Sequence, residues 1–74
     1  MSEVAVIGER TRIQGFALAG ARTHAADTAE QVRDAWANLS PDVAVVVLTK
    51  AAAAVLRDQL DDPASPVLPV VMPA

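Results

Sequence analysis

Residues 4–20 read VAVIGERTRIQGFALAG: an apolar run from Val4 to Ile7 breaks at Gly8 into the polar turn Glu9-Arg10-Thr11 and resumes as GFALAG over 15–20. This is the order of a strand feeding a helix. No polar residue alternates within the run, so the strand is predicted to be buried on both faces, as in the middle of a parallel sheet. Gly8, Gly15 and Gly20 are too widely spaced for G-x-G-x-x-G, and no Gly-Lys-Ser/Thr follows. The turn therefore lacks a phosphate-binding signature.

Thr11 with Gln14 three residues on forms a capping box, and Ile13, Phe16 and Ala17 share a helical face, which predicts a first helix from Arg12 to Ala19. Gly20 ends it as a residue able to take the left-handed conformation. Gly15, inside the helix, costs up to about 1 kcal/mol relative to Ala. It is read as a packing glycine that, with Phe16, sits close against the sheet.

Residues 22–26 form a weak strand, placed at a sheet edge. Asp27 or Thr28 caps a second helix, with Glu30 or Gln31 in the reciprocal position, and Ala29, Val32, Trp36 and Leu39 supply its buried stripe. Ser40 and Pro41 stop it. Val43 to Leu48 is six apolar residues in a row, a second strand buried on both faces beside the first. Thr49 caps a third helix whose inward face is Ala52, Val55, Leu56 and Leu60, with Asp61, Asp62 and Pro63 ending it and 61–66 reading as a linker. Val67 to Val71 is a last strand, which Pro69, lacking an N–H, assigns to an edge.

Strands alternating with helices give an α/β domain with right-handed crossovers. Two doubly buried strands flanked by two weaker ones predict a small flavodoxin-like parallel sheet of four strands, order 2-1-3-4, with three helices. At 74 residues it is one domain, 1–74. With no cysteine, packing alone holds the fold.

In this topology ligands sit beyond the carboxyl ends of the first and third strands. Gly8, Glu9, Arg10, Thr11, Thr49 and Lys50 fall there. Arg10 and Lys50 beside two helix starts could hold an anion; the favoured reading is that Thr11 and Thr49 are caps and the charges are solvated. A receiver domain shares the topology, but Glu9 stands alone and no acceptor Asp follows the third strand. A lone carboxylate supports neither a Mg²⁺ site nor paired acid-base chemistry. His24 has no second ligand or base nearby in sequence, and Trp36 is read as core in preference to an interface anchor. No catalytic, cofactor or metal residues are assigned. The net charge of −3 argues against nucleic acid. No secretory leader is recognised, and no apolar run approaches the roughly 20 residues that span a bilayer.

The opening block, with its Ile7-Gly8 and its Gly15-Phe16-Ala17-Leu18-Ala19-Gly20, resembles the F subunit of the V-type (A/V-type) rotary ATPases and ATP synthases. Pro41 to Thr49 is similar to that family's Asp-Ile-Gly/Ala-Ile-Ile-Leu-Ile-Thr strand and cap, and Pro66 to Ala74 to its Pro-x-Val-x-x-Ile-Pro-Ser. The resemblance implies a non-catalytic central-stalk (rotor) component that binds the D subunit, the long coiled coil of the stalk, and works with the catalytic head. It would help couple ATP synthesis or hydrolysis to proton transport, with no cofactor of its own. It also implies a cytoplasmic place, peripheral to the membrane and reaching it only through the complex. Gly8, Gly15, Phe16, Leu18 and Gly20 are carried over as family-typical positions, with Glu9 and Arg10 as possible interface residues. The family turn is Gly-Asp-Glu-Asp where this chain has Gly8-Glu9-Arg10-Thr11. The family also continues into a C-terminal helical tail, which is expected to be absent here, the chain being a short form or a fragment. The alternative is a free-standing α/β binding module, receiver-like without a phosphoacceptor, that uses the switch-point loops for an anion or a protein partner.

Overall fold

Val-rich runs that carry no internal polar residue become the two central strands of the computed structural model, which describes residues 3–18, 20–62 and 67–73. The elements in chain order are β1 (Glu3–Gly8), α1 (Arg10–Leu18), β2 (Arg22–Ala25), α2 (Ala29–Ala37), β3 (Val43–Leu48), α3 (Lys50–Val55), α4 (Arg57–Leu60) and β4 (Leu68–Val71). The sheet is parallel throughout, with order β2-β1-β3-β4. Fold class and strand order are those predicted. Ala19, Pro63 and the 63–66 part of the linker lie outside the described residues, as does the side chain of Leu18.

The two faces of the sheet differ in cover. On one, Ala5 and Ile7 of β1 and Val46 and Leu48 of β3 pack with Val32, Ala52 and Leu56 from α2 and the α3–α4 segment, forming the main core. On the other, Val6 and Ile13 are buried outside that cluster, under α1. α1 packs against β1 and β2. It leaves the rest of that face open: Val4 is 45% exposed, Leu68 61% and Val70 44%. The expectation of burial on both faces therefore holds for β1 from Ala5 to Gly8 and is corrected for β3. Val45 and Val47 are only half-buried, because a single helix covers half the width of this face.

Local corrections follow the same logic. The first helix starts at Arg10, not Arg12, and Thr11 is no cap: the Glu9 carbonyl accepts from the N–H groups of Arg12 (2.9 Å) and Ile13 (3.2 Å), so Thr11 already lies in the first turn. Thr28, not Asp27, caps α2 by accepting from the Gln31 N–H at 3.1 Å, while the Gln31 side chain accepts from the Asp27 N–H at 2.8 Å. Ala29 is exposed and Ala35 takes its place beside Val32, Trp36 and Leu39. Trp36 packs on the main core, as read. The predicted third helix is two pieces, α3 and α4. The break is at Leu56, whose ψ of 11° departs from the helix where its side chain is locked in the core at zero exposure.

β4 is an edge strand despite its apolar sequence. The Met72 N–H donates to the Leu48 carbonyl at 2.8 Å, so the alternate nitrogens of 68, 70 and 72 face β3 and that of Pro69 faces outward. The missing donor falls on the free edge, where it costs no ladder bond.

Gly15 is not the packing glycine. A Cβ there meets nothing within 4 Å, and the residue is exposed. The close approach is at Gly8, where a Cβ would run into Thr49 Cγ2 and lie 2.8 Å from Thr49 Oγ1. Gly20, at φ +84°, takes the left-handed conformation expected after the helix. Two substitutions separate these roles in thermal unfolding. Gly8→Ala is expected to destabilise by about 1–3 kcal/mol through overpacking. Gly15→Ala is expected to stabilise by roughly 0.5–1 kcal/mol, because it removes a helix-interior glycine without a clash.

Candidate functional site

The switch point between β1 and β3 is closed by the protein's own side chains. The Thr49 N–H donates to the Ile7 carbonyl at 3.2 Å, extending the β1–β3 ladder and setting Thr49 directly over Gly8. From there the Thr49 hydroxyl donates to Glu9 Oε1 at 2.5 Å and accepts from the Ala52 N–H at 3.3 Å. One hydroxyl thus caps α3 and holds the turn before α1. Thr49 is 1% exposed, so the crevice floor is filled.

Arg12 Nε stands 3.7 Å from Glu9 Oε2. The hydrogen bond from Thr49, the backbone N–H of Glu9 and the charge of Arg12 together hold the Glu9 carboxyl below the usual glutamate range, against a smaller opposing effect of desolvation. A second carboxylate serves the first helix: Asp27 Oδ1 accepts from the Arg10 N–H at 3.2 Å. Both helix starts at the switch point therefore have carboxylates beside them. An anion there would meet like charge, and the readiest amide donor is already engaged. Arg10 and Lys50 are exposed, matching the solvated reading. Among the described residues no group of three or more His, Cys, Asp or Glu could hold a metal ion. His24 is half-buried on the edge strand β2.

The remaining sequence-assigned positions gather elsewhere. Phe16, half-buried on α1, and Gly20 after it line a cleft of about 610 Å³ with Val4 and Val47 of the sheet. Glu3 and Arg22 also line it, with Arg22 Nε 3.3 Å from Glu3 Oε2. That oxygen is shielded from solvent and the approach is an ion pair without hydrogen-bond alignment. Gly15 faces solvent, and Leu18 closes α1. The structure thus splits the assigned residues into two groups, Gly8, Glu9 and Arg10 at the sealed switch point and Phe16 and Gly20 at the cleft. Val4, Leu68 and Val70 extend the cleft into an open apolar surface, and the sequence reading placed none of them there. Their apolar character was legible; which side of the sheet lacked a helix was not.

Residues 4–74 match the family model of the ATP synthase (F/14-kDa) subunit. No curated protein matches the chain. No helix among the described residues is long and apolar enough to cross a membrane.

The Thr49 knot predicts a pH-dependent stability. A carboxyl with a lowered folded pKa stabilises above its unfolded value, near 4.3, and the contribution is lost as pH falls through the folded value. Thr49→Val is expected to cost about 0.5–2 kcal/mol at neutral pH through the lost cap. In the same variant the acid-side fall in stability should shrink, as read by urea unfolding between pH 7 and pH 3.

Proposed function

The chain belongs to the family of the ATP synthase (F/14-kDa) subunit, whose members are non-catalytic parts of the rotary ATPases, and from that premise we propose that it is a central-stalk (rotor) component that binds the D subunit. It would turn with that coiled coil inside the catalytic head and help couple ATP synthesis or hydrolysis to proton movement. Its place would be the cytoplasmic side, peripheral to the membrane, with residues 1–74 acting as a single unit.

The match over residues 4–74 carries this reading. The geometry supports it in two ways. The crevice where this topology would hold a small ligand is filled by Thr49 and bordered by the carboxylates of Glu9 and Asp27. The free-standing anion-binding alternative therefore gains no observation in its favour. At the same time Val4, Leu68 and Val70 leave apolar surface open on one side of the sheet, as a component built to be covered by a partner would.

A domain of this size has a small core, so a partner that binds only the folded form raises its apparent stability by mass action. At a hundredfold excess over Kd the gain is about 2.7 kcal/mol, a Tm rise on the order of 10 °C for so short a chain. Differential scanning fluorimetry with the purified D subunit of the same complex is expected to show that rise, growing with the concentration of the added partner. An unchanged Tm together with no co-elution on gel filtration would refute the assignment of partner.

A further inference from the structure

We propose that residues 9–25, the stretch that carries α1 and β2, form a flap that opens and closes as one unit while the rest of the domain stays folded. The proposal is independent of the rotor reading, since it concerns a motion of this chain alone.

The main core can stand without the flap. Among the described residues, neither the core cluster nor the half-buried side chains packed around it include any from 9–25. Ile13 is the one buried side chain described in that stretch, and Phe16 is half-buried. Little apolar surface is therefore at stake when the segment leaves, which is the condition for a local opening that costs less than global unfolding.

The base of the flap closes on itself. Gly8 and Ala26, the residues that bracket the segment, are both buried, and the Ala26 N–H donates to the Gly8 carbonyl at 2.8 Å. Thr49 lies over Gly8, and Ala26 belongs to the main core, so both ends are anchored outside the flap. The chain leaves and returns at one hydrogen bond. Opening the segment leaves β1 with β3 as its remaining neighbour in the sheet.

What holds the flap shut is largely polar. β2 pairs with β1 from Ala5↔Arg22 to Gly8↔Ala25, and Asp27 Oδ1 accepts from the Arg10 N–H at the start of α1. Glu9 accepts from the Thr49 hydroxyl and stands beside Arg12, while Glu3 faces Arg22. The side chains of Arg12 and Arg22 are 58% and 68% exposed, a setting in which ion pairs add little. Gly15, inside α1 and without a packing neighbour at its Cβ position, weakens the helix further. Opening uncovers Val6 under α1 and the edge of β1 that β2 occupies. A ligand for either would act by selecting the open form.

Hydrogen exchange of the folded chain, followed amide by amide by NMR, tests the flap. The nitrogen of Ala26 faces β1, so that of His24, two residues back, faces it as well. The amides of 14–17 on α1 and of His24 on β2 are expected to share one protection factor, about a hundredfold below those of Val46 to Leu48, with Ala26 in the slow class. Gly15→Ala, which meets no clash, should raise the protection of 14–17 and of His24 alike by about two- to fivefold. Leu60→Ala, on the main core, should lower the protection of Val46 to Leu48 by about tenfold and leave 14–17 and His24 unchanged. If His24 keeps its wild-type protection in Gly15→Ala, or loses protection in step with Val46 to Leu48 in Leu60→Ala, α1 and β2 do not open as a unit and the proposal falls. A single protection factor for all strands and helices would overturn it too, by showing that the domain opens only as a whole.

Discussion

The contact of Thr49 with Gly8 is the constraint on which the rest depends. Only a residue without a Cβ lets Thr49 lie across the end of β1. From that position its hydroxyl serves two masters, the Ala52 amide at the start of α3 and the Glu9 carboxylate before α1. Two strands, two helices and the reversal of winding between them thereby meet at one side chain, 1% exposed. In other proteins of this topology the same place is a crevice for ligands. Here the group that would line such a crevice caps α3 and holds the turn before α1 instead.

A sealed switch point and an open flank are consistent with one another physically. A domain with a ligand crevice keeps polar groups unsatisfied until the ligand arrives. This one has its exposed apolar area on the side of the sheet away from the main core, beside the cleft at Phe16.

Much of this was legible in the sequence, for reasons tied to particular residues. Val43 to Leu48 and Val4 to Ile7 read as strands because their short apolar runs are rich in valine and bounded by turn residues. Thr28 and Thr49 announced helix starts by their own chemistry, and Pro69 announced an edge. What could not be read were relations between distant positions. Gly8 and Gly15 look alike in sequence, and only the fold brings Thr49 over the first and leaves the second in solvent. Asp27 takes up the first amide of α1 from 17 residues away, so Thr11 was given a cap's role that a remote carboxylate and the Glu9 carbonyl fill. The break falls at Leu56, whose side chain is fully buried, and no breaker residue marks it.

Pro69 has a further consequence for the chain before it meets a partner. Leu68 and Val70 give β4 an adhesive surface, and as the last strand it also offers an unpaired backbone edge. Together these make a template on which strands of other copies would stack into aggregates. With the nitrogen of Pro69 turned outward, that edge lacks a donor at its second residue, so a foreign strand meets a gap in the ladder near the place it would nucleate. The edge beside the exposed Leu68 and Val70 is therefore a poor place for strand growth.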